Sequence, residues 1–122
     1  MEMSMSEVIH FQRDTVSFEP FGEQGSGSAS IARLVGPELS KTMGAGLARF
    51  DNVSVEWTVH YDELIFTLDG AFTLRVGEHA YETRPGDVLW IPAGTSVRYE
   101  GRGATIFYAL APVDWRERSN LT

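Results

Sequence analysis

Glu56 and Glu63 are the side chains of this sequence whose type and spacing best suit chemistry. If both carboxyls entered one dry pocket, like-charge repulsion would raise the pKa of one and leave an acid–base pair. A strand that kept Glu56 in water would instead make it an ordinary surface charge. Glu63 reads either as a pocket carboxylate or as a structural acceptor, and once buried it needs a partner. Trp57, Thr58, Tyr99 and Tyr108 are the other candidates for contacting a ligand, because small-molecule sites combine aromatic walls with a few polar groups. Buried tyrosine hydroxyls also need hydrogen-bond partners. The same aromatic residues, together with Tyr61 and Trp90, would equally well fill a core. His60, just before Tyr61-Asp62, reads as a loop histidine. Arg75 and Arg98 read as sheet-face charges, with a ligand-carboxylate clamp as the lesser alternative.

Several chemistries are excluded by residue type. The 122 residues contain no cysteine, which removes disulfides, thiolate metal sites and thiol nucleophiles. Gly25-Ser26-Gly27 lacks the rest of a dinucleotide fingerprint. No Gly-x4-Gly-Lys-Ser/Thr loop and no Gly-x-Ser-x-Gly elbow occurs. A net charge of −7 argues against a nucleic-acid partner and against an anionic membrane surface. No stretch approaches the roughly 20 apolar residues that span a bilayer. Met1–Ser6 has neither a basic region nor an apolar run, so a cytoplasmic protein is expected. The Asn52-Val53-Ser54 sequon is then a chance match.

The elements that must position these residues read as strands. Short runs rich in β-branched and aromatic residues span Ile31–Val35, Leu47–Phe50, Val53–His60, Glu63–Leu68, Phe72–Val76, Val88–Ile91, Ser96–Glu100 and Thr105–Leu110. Val8–Phe11 and Thr15–Phe18 are further candidates. Asp69-Gly70 reads as a tight hairpin turn, and Gly77-Glu78, Pro85-Gly86-Asp87, Ala93-Gly94 and Gly101-Arg102-Gly103 as further breaks. Residues 22–30 read as an exposed loop or flap. Gly36–Ala45 is the one stretch able to form a short helix. Between Val53 and His60 the pattern alternates, with Val53, Val55, Trp57 and Val59 on one face and Ser54, Glu56, Thr58 and His60 on the other. The pattern leaves open which face lines the interior. Such spacing predicts one all-β domain over 1–122, a sandwich or barrel, with N-terminal strands and loop in about 1–46 and the barrel motifs in about 50–115.

Two segments resemble the paired signatures of the cupin superfamily. Glu63-x6-Gly70 is similar to the end of the first, and Gly86-x5-Pro92-x-Gly94 to the core of the second. The resemblance implies a double-stranded β-helix, or jelly-roll barrel, and favours Glu63 as a pocket carboxylate. The first signature ordinarily opens with a His-x-His pair, where this sequence has Glu56 and Thr58 or Trp57 and Val59. The histidine of the second falls at Val97. Only Glu63 remains of the usual ligand set, so no metal and no cofactor is expected. The runs Val55–Glu63, Pro85–Pro92 and Phe107–Trp115 are most similar to the cupin domain of the ethanolamine-utilization protein Q family. That family tends to lack the histidines, is associated with ethanolamine catabolism and bacterial microcompartments, and has been assigned acetate kinase activity. Its longer members carry an N-terminal extension.

Two functions therefore stand as expectations. One is an accessory cupin that binds a small polar metabolite in amine or ethanolamine catabolism. The other is an enzyme acting on a small carboxylate, amine or acyl phosphate, with Glu56 and Glu63 as acid–base groups. A homodimer is expected, since exposed aromatic and β-branched strands gain from being covered.

Overall fold

The structure, a computed structural model, describes residues 7–22 and 27–119. Residues 23–26 of the expected loop lie outside it. A 3-10 turn at Arg13–Thr15 precedes eight strands: β1 (Glu19–Pro20), β2 (Ser28–Val35), β3 (Gly44–Asp51), β4 (Val53–Thr58), β5 (Asp62–Val76), β6 (His79–Thr83), β7 (Val88–Ile91) and β8 (Ser96–Ala111). A short helix, α1 (Trp115–Arg118), ends the described chain. The all-β jelly-roll expected from the sequence is the fold found.

Two long strands form its spine. β8 pairs antiparallel with β5 along most of the length of both. The first part of β8, Ser96–Gly101, also pairs with β4, and its last part, Ala104–Leu110, pairs with β3. β5 takes β7 as its other neighbour at Glu63–Phe66 and β6 at Phe72–Val76. Each spine strand thus belongs to both halves of the roll. The two halves meet at one level, where three strands bend together. Asn52 separates β3 from β4 at a φ of 56°, Gly70 sits in β5 at 71°, and Gly103 sits in β8 at 54°. Asn52 N donates to the Gly101 carbonyl at 2.8 Å. A Cβ on Gly70 would fall 2.2 Å from the Gly103 carbonyl oxygen, and the residue's φ is also one that side chains disfavour.

The sequence reading is corrected here in several respects. Asp69-Gly70 is no hairpin turn. It is an irregularity in a continuous β5, where the register shifts on both sides of Asp69, and it fuses the two strands expected at Glu63–Leu68 and Phe72–Val76. The strands expected at Ser96–Glu100 and Thr105–Leu110 fuse in the same way into β8. A glycine that bends a strand and one that reverses it look alike in sequence. Gly36–Ala45 forms a turn closed by Leu39 N and Ser40 N on the Gly36 carbonyl, then enters β3; there is no helix. β2 begins at Ser28, inside the stretch read as loop. β6 was not anticipated, because its outward residues are charged or polar and its run is short. Neither Val8–Phe11 nor Thr15–Phe18 is a strand. That segment instead crosses the outside of the sheet, where Phe18 lies under the Arg49 guanidinium (3.8 Å) and Arg13 pairs with Asp69.

The interior is filled from both halves. Phe50, Phe72 and Tyr99 stack with ring centroids 5.5–6.2 Å apart, among Val55, Ile65, Leu74, Ile91, Val97 and Ile106. A buried Thr67–Thr83 hydrogen bond of 2.7 Å, with Thr83 Oγ1 also donating to the Phe72 carbonyl, ties β6 to β5. The outer face of the other half is apolar: the register aligns Leu64 with Trp90, and Phe66 with Val88 and Phe107. All five residues are exposed, Trp90 by 60%.

Candidate functional site

A cavity of about 580 Å³ opens among the inward residues of β2, β3, β5 and β8. Alternation sets which side chains reach it. In β4 the valine face points inward, so Trp57 lines the cavity while Glu56 and Thr58 point out. Glu56 is 77% exposed and pairs with Arg98 at 3.4 Å, and Thr58 hydrogen-bonds Ser96 at 2.9 Å. The acid–base pair of Glu56 with Glu63 is thereby overturned: residues at even positions of this strand cannot share the face of Trp57. Arg75, held by Glu100 at 3.0 Å, and Arg98 are sheet-face charges.

Four of the six expected ligand contacts do converge: Trp57, Glu63, Tyr99 and Tyr108 all line the cavity. Glu63 opens β5 and faces inward. Its position is fixed just upstream, where Asp62 Oδ1 accepts a hydrogen bond from Ala93 N (2.9 Å) in the turn that carries Gly94. A polar chain leads to it. Trp57 Nε1 donates to the Tyr61 hydroxyl at 2.9 Å, Tyr61 and Tyr99 are coupled through their hydroxyls, and Tyr99 Oη donates to Glu63 Oε1 at 2.9 Å. Glu63 is only 5% exposed, and among the described residues its carboxyl has no other hydrogen-bond partner and no ion pair. Burial pushes its pKa from the ordinary 4.5 up to about 7, against the opposing effect of the Tyr99 bond. Desolvation and the neighbouring Glu63 charge push Tyr61 and Tyr99 well above the usual phenol range. Tyr108 is pushed up to about 12, first by burial.

Tyr108 owes its place to Gly46. The phenol ring crosses the β3 backbone there, and a Cβ on Gly46 would meet Tyr108 Oη at 2.6 Å. No hydrogen bond to the Tyr108 hydroxyl is found among the described residues.

The roof was not anticipated. Val113 N donates to the Thr42 carbonyl at 3.0 Å and brings the chain back over the open end, where α1 begins. Trp115 packs on Tyr61 (5.0 Å), Trp57 (6.0 Å) and flat against His60 (5.8 Å, 9° between rings). His60 is thus engaged in the roof and does not line the cavity. Arg33, in phase with inward Ile31 on β2, reaches the rim near Tyr108. Its signal was present in the alternation of β2, but the strand's extent was misjudged. Among the described residues, no group of three or more histidine or acidic side chains could hold a metal ion. Among the described residues, no helix is long and apolar enough to cross a membrane.

Comparison with known proteins places this geometry. A model of the family described as Ethanolamine utilisation protein EutQ matches residues 19–117. A curated relative from Salmonella typhimurium, named Acetate kinase EutQ, is 28% identical over 103 residues, covering 84% of this chain and 45% of its own. The chain spans less than half the length of the curated Salmonella and Escherichia coli relatives it matches. The structure of the Clostridium difficile EutQ protein superimposes with a TM-score of 0.77 at 21% identity, covering 87% of this chain and 88% of that one. The Schizosaccharomyces pombe Cnp3 cupin domain gives 0.69 at 15% identity, over 92% of this chain and 75% of that one, a likeness of fold alone. With most of its length matched, and with the fold those structures share, this chain belongs to the EutQ family as a cupin domain.

Proposed function

We propose that the chain is a ligand-binding cupin, taking a small polar metabolite into the cavity beneath Trp115 with Glu63 as the anchoring group. One observation carries this reading: a carboxyl that is 5% exposed and bonded through Oε1 to Tyr99 lines a cavity of about 580 Å³. That volume lies within the range of small-molecule sites, and the setting of aromatic walls around a few fixed polar groups is theirs as well. The family's description supports a place in ethanolamine utilisation, where the chain would act in the cytoplasm as an accessory binding protein. Catalysis by a pair of glutamates has lost its second member, since Glu56 faces solvent.

The test is a thermal-shift screen of small metabolites on the wild-type chain and on Glu63→Gln. A ligand present at 100 times its Kd stabilises the native state by about 2.7 kcal/mol, a rise of several degrees for a domain of this size. Hits are expected on the wild type and to be weakened in the variant. Hits that shift both proteins equally would remove Glu63 from the site.

A further inference from the structure

Resting on the ligand-binding reading above, we infer that the ligand of this cavity is an organic ammonium ion, seated between the Glu63 carboxylate and the faces of the surrounding aromatic rings. Three observations converge on positive charge. First, Glu63 is a buried acid with no counter-ion: none of the ion pairs among the described residues includes it, and its environment contains no cation strong enough to lower its pKa. A buried carboxylate is costly until something positive meets it. Second, the walls include Trp57, Tyr61, Tyr99 and Tyr108, rings of the kind whose faces attract cations, while the Trp115 ring is already engaged by His60 and Arg116. Third, the arginines that could serve an anion stand at the rim, away from Glu63. Arg33 lies 3.9 Å from Glu19 with its side chain 56% exposed, and Arg116 lies over the Trp115 ring at 4.5 Å. Asp114 and Glu117 share that rim and offset them. An anion entering deeper would meet Glu63, with only phenol hydroxyls to help it.

The groups facing Glu63 determine how binding responds to pH. β8 presents Tyr99 and Tyr108, and the turn before β5 presents Tyr61. β3 and β7 present nothing titratable, β2 presents Arg33 at the rim, and the α1 region presents Asp114, Arg116 and Glu117 there. The tyrosines stay neutral through the accessible pH range. His60 stands in the roof against Trp57 and Trp115. The Glu63 carboxyl is pushed up to about 7, so an ammonium ion must displace its proton to solvent, and affinity rises with pH.

Isothermal titration of the wild-type chain with two isosteric series tests this: butylammonium, 1-butanol and butyrate, then 2-phenylethylammonium, 2-phenylethanol and phenylacetate. At pH 8 the ammonium member of at least one series is expected to bind about tenfold or more tightly than its alcohol, with the carboxylate weakest. Its affinity should fall about tenfold from pH 8 to pH 6, and the heat should vary with the ionisation enthalpy of the buffer as protons are released. Glu63→Gln should abolish the preference for charge; the wild-type series stands alone if that variant does not fold. An alcohol that binds as tightly as its ammonium, a preferred carboxylate, or an affinity independent of pH would overturn the inference while leaving a ligand pocket in place. Failure of all six compounds to bind would overturn the cation and count against the pocket as well.

Discussion

Replacing Glu63 by glutamine should separate the stability of the fold from pH. In the folded chain Glu63 holds its proton up to about pH 7, whereas in the unfolded chain it lets go near 4.5. An acid whose folded pKa is raised favours the native state at low pH, and that advantage is lost as pH climbs from about 4.5 to about 7. The gap between the two values corresponds to about 3 kcal/mol. Between pH 5 and pH 8 the two-state linkage expression gives a loss of about 2.5 kcal/mol from this one group. Glutamine keeps the shape and an acceptor for Tyr99 Oη but carries no charge at any pH. Urea denaturation at pH 5 and pH 8 measures both proteins, and the difference between them cancels every other titrating group. The wild type should lose about 2.5 kcal/mol more than the variant on going to pH 8. A wild type that gains stability relative to Glu63→Gln over that window would show that the acid is ionised in the folded chain, with a cation of the protein beside it, and the argument above would fail.

Other expectations follow from the same geometry. Gly70→Val puts a β-branched side chain at a φ of 71° with backbone oxygen in its path, and should cost on the order of 1–3 kcal/mol or more, read as a lower melting temperature; an unchanged melt would refute the bend. Glu56→Gln removes one exposed ion pair and should change stability by less than about 0.5 kcal/mol with ligand binding intact, and a loss of binding would return Glu56 to the site. The apolar outer stripe of Leu64, Phe66, Val88, Trp90 and Phe107 is expected to pair two copies of the chain. Light scattering at micromolar concentration should therefore give a dimer mass that Trp90→Glu halves, and a monomeric wild type would refute it. Elemental analysis after chelator-free purification should find far less than one equivalent of zinc, iron or nickel per chain. A full equivalent lost in Glu63→Gln would revive metal chemistry.

What the sequence revealed depended on whether the deciding signal was local. Alternation is local, so β4 and the shared face of Val55, Trp57 and Val59 were legible, as were the turns at Gly86 and Gly94, both of which have positive φ. The face that turns inward is a tertiary matter, which is why Glu56 could not be separated from Glu63 by spacing alone. Gly70 and Gly103 show a different limit. Positive φ was predictable at Asp69-Gly70, but whether the chain reverses or bends there depends on β8 lying alongside. The roof was hidden for the same reason: Trp115 gains meaning only when Val113 is held by Thr42, more than 70 positions earlier in the chain. Arg33 and Tyr61 were visible as residues but not as pocket walls, since nothing short of the rolled sheet brings β2 opposite β5.

The placement of the three tryptophans makes the molecule a spectroscopic instrument in its native form. Trp57 and Trp115 meet edge to face in the lining of the cavity, while Trp90 stands exposed in the apolar outer stripe. Emission from the first two would report a ligand in the cavity, and emission from the third would report a second copy on the outer face. Trp90→Phe yields a chain whose fluorescence follows occupancy alone. A chain with Trp57 and Trp115 both replaced by phenylalanine follows association alone. The binding and the pairing expected above could thus be followed separately in solution without attaching a dye.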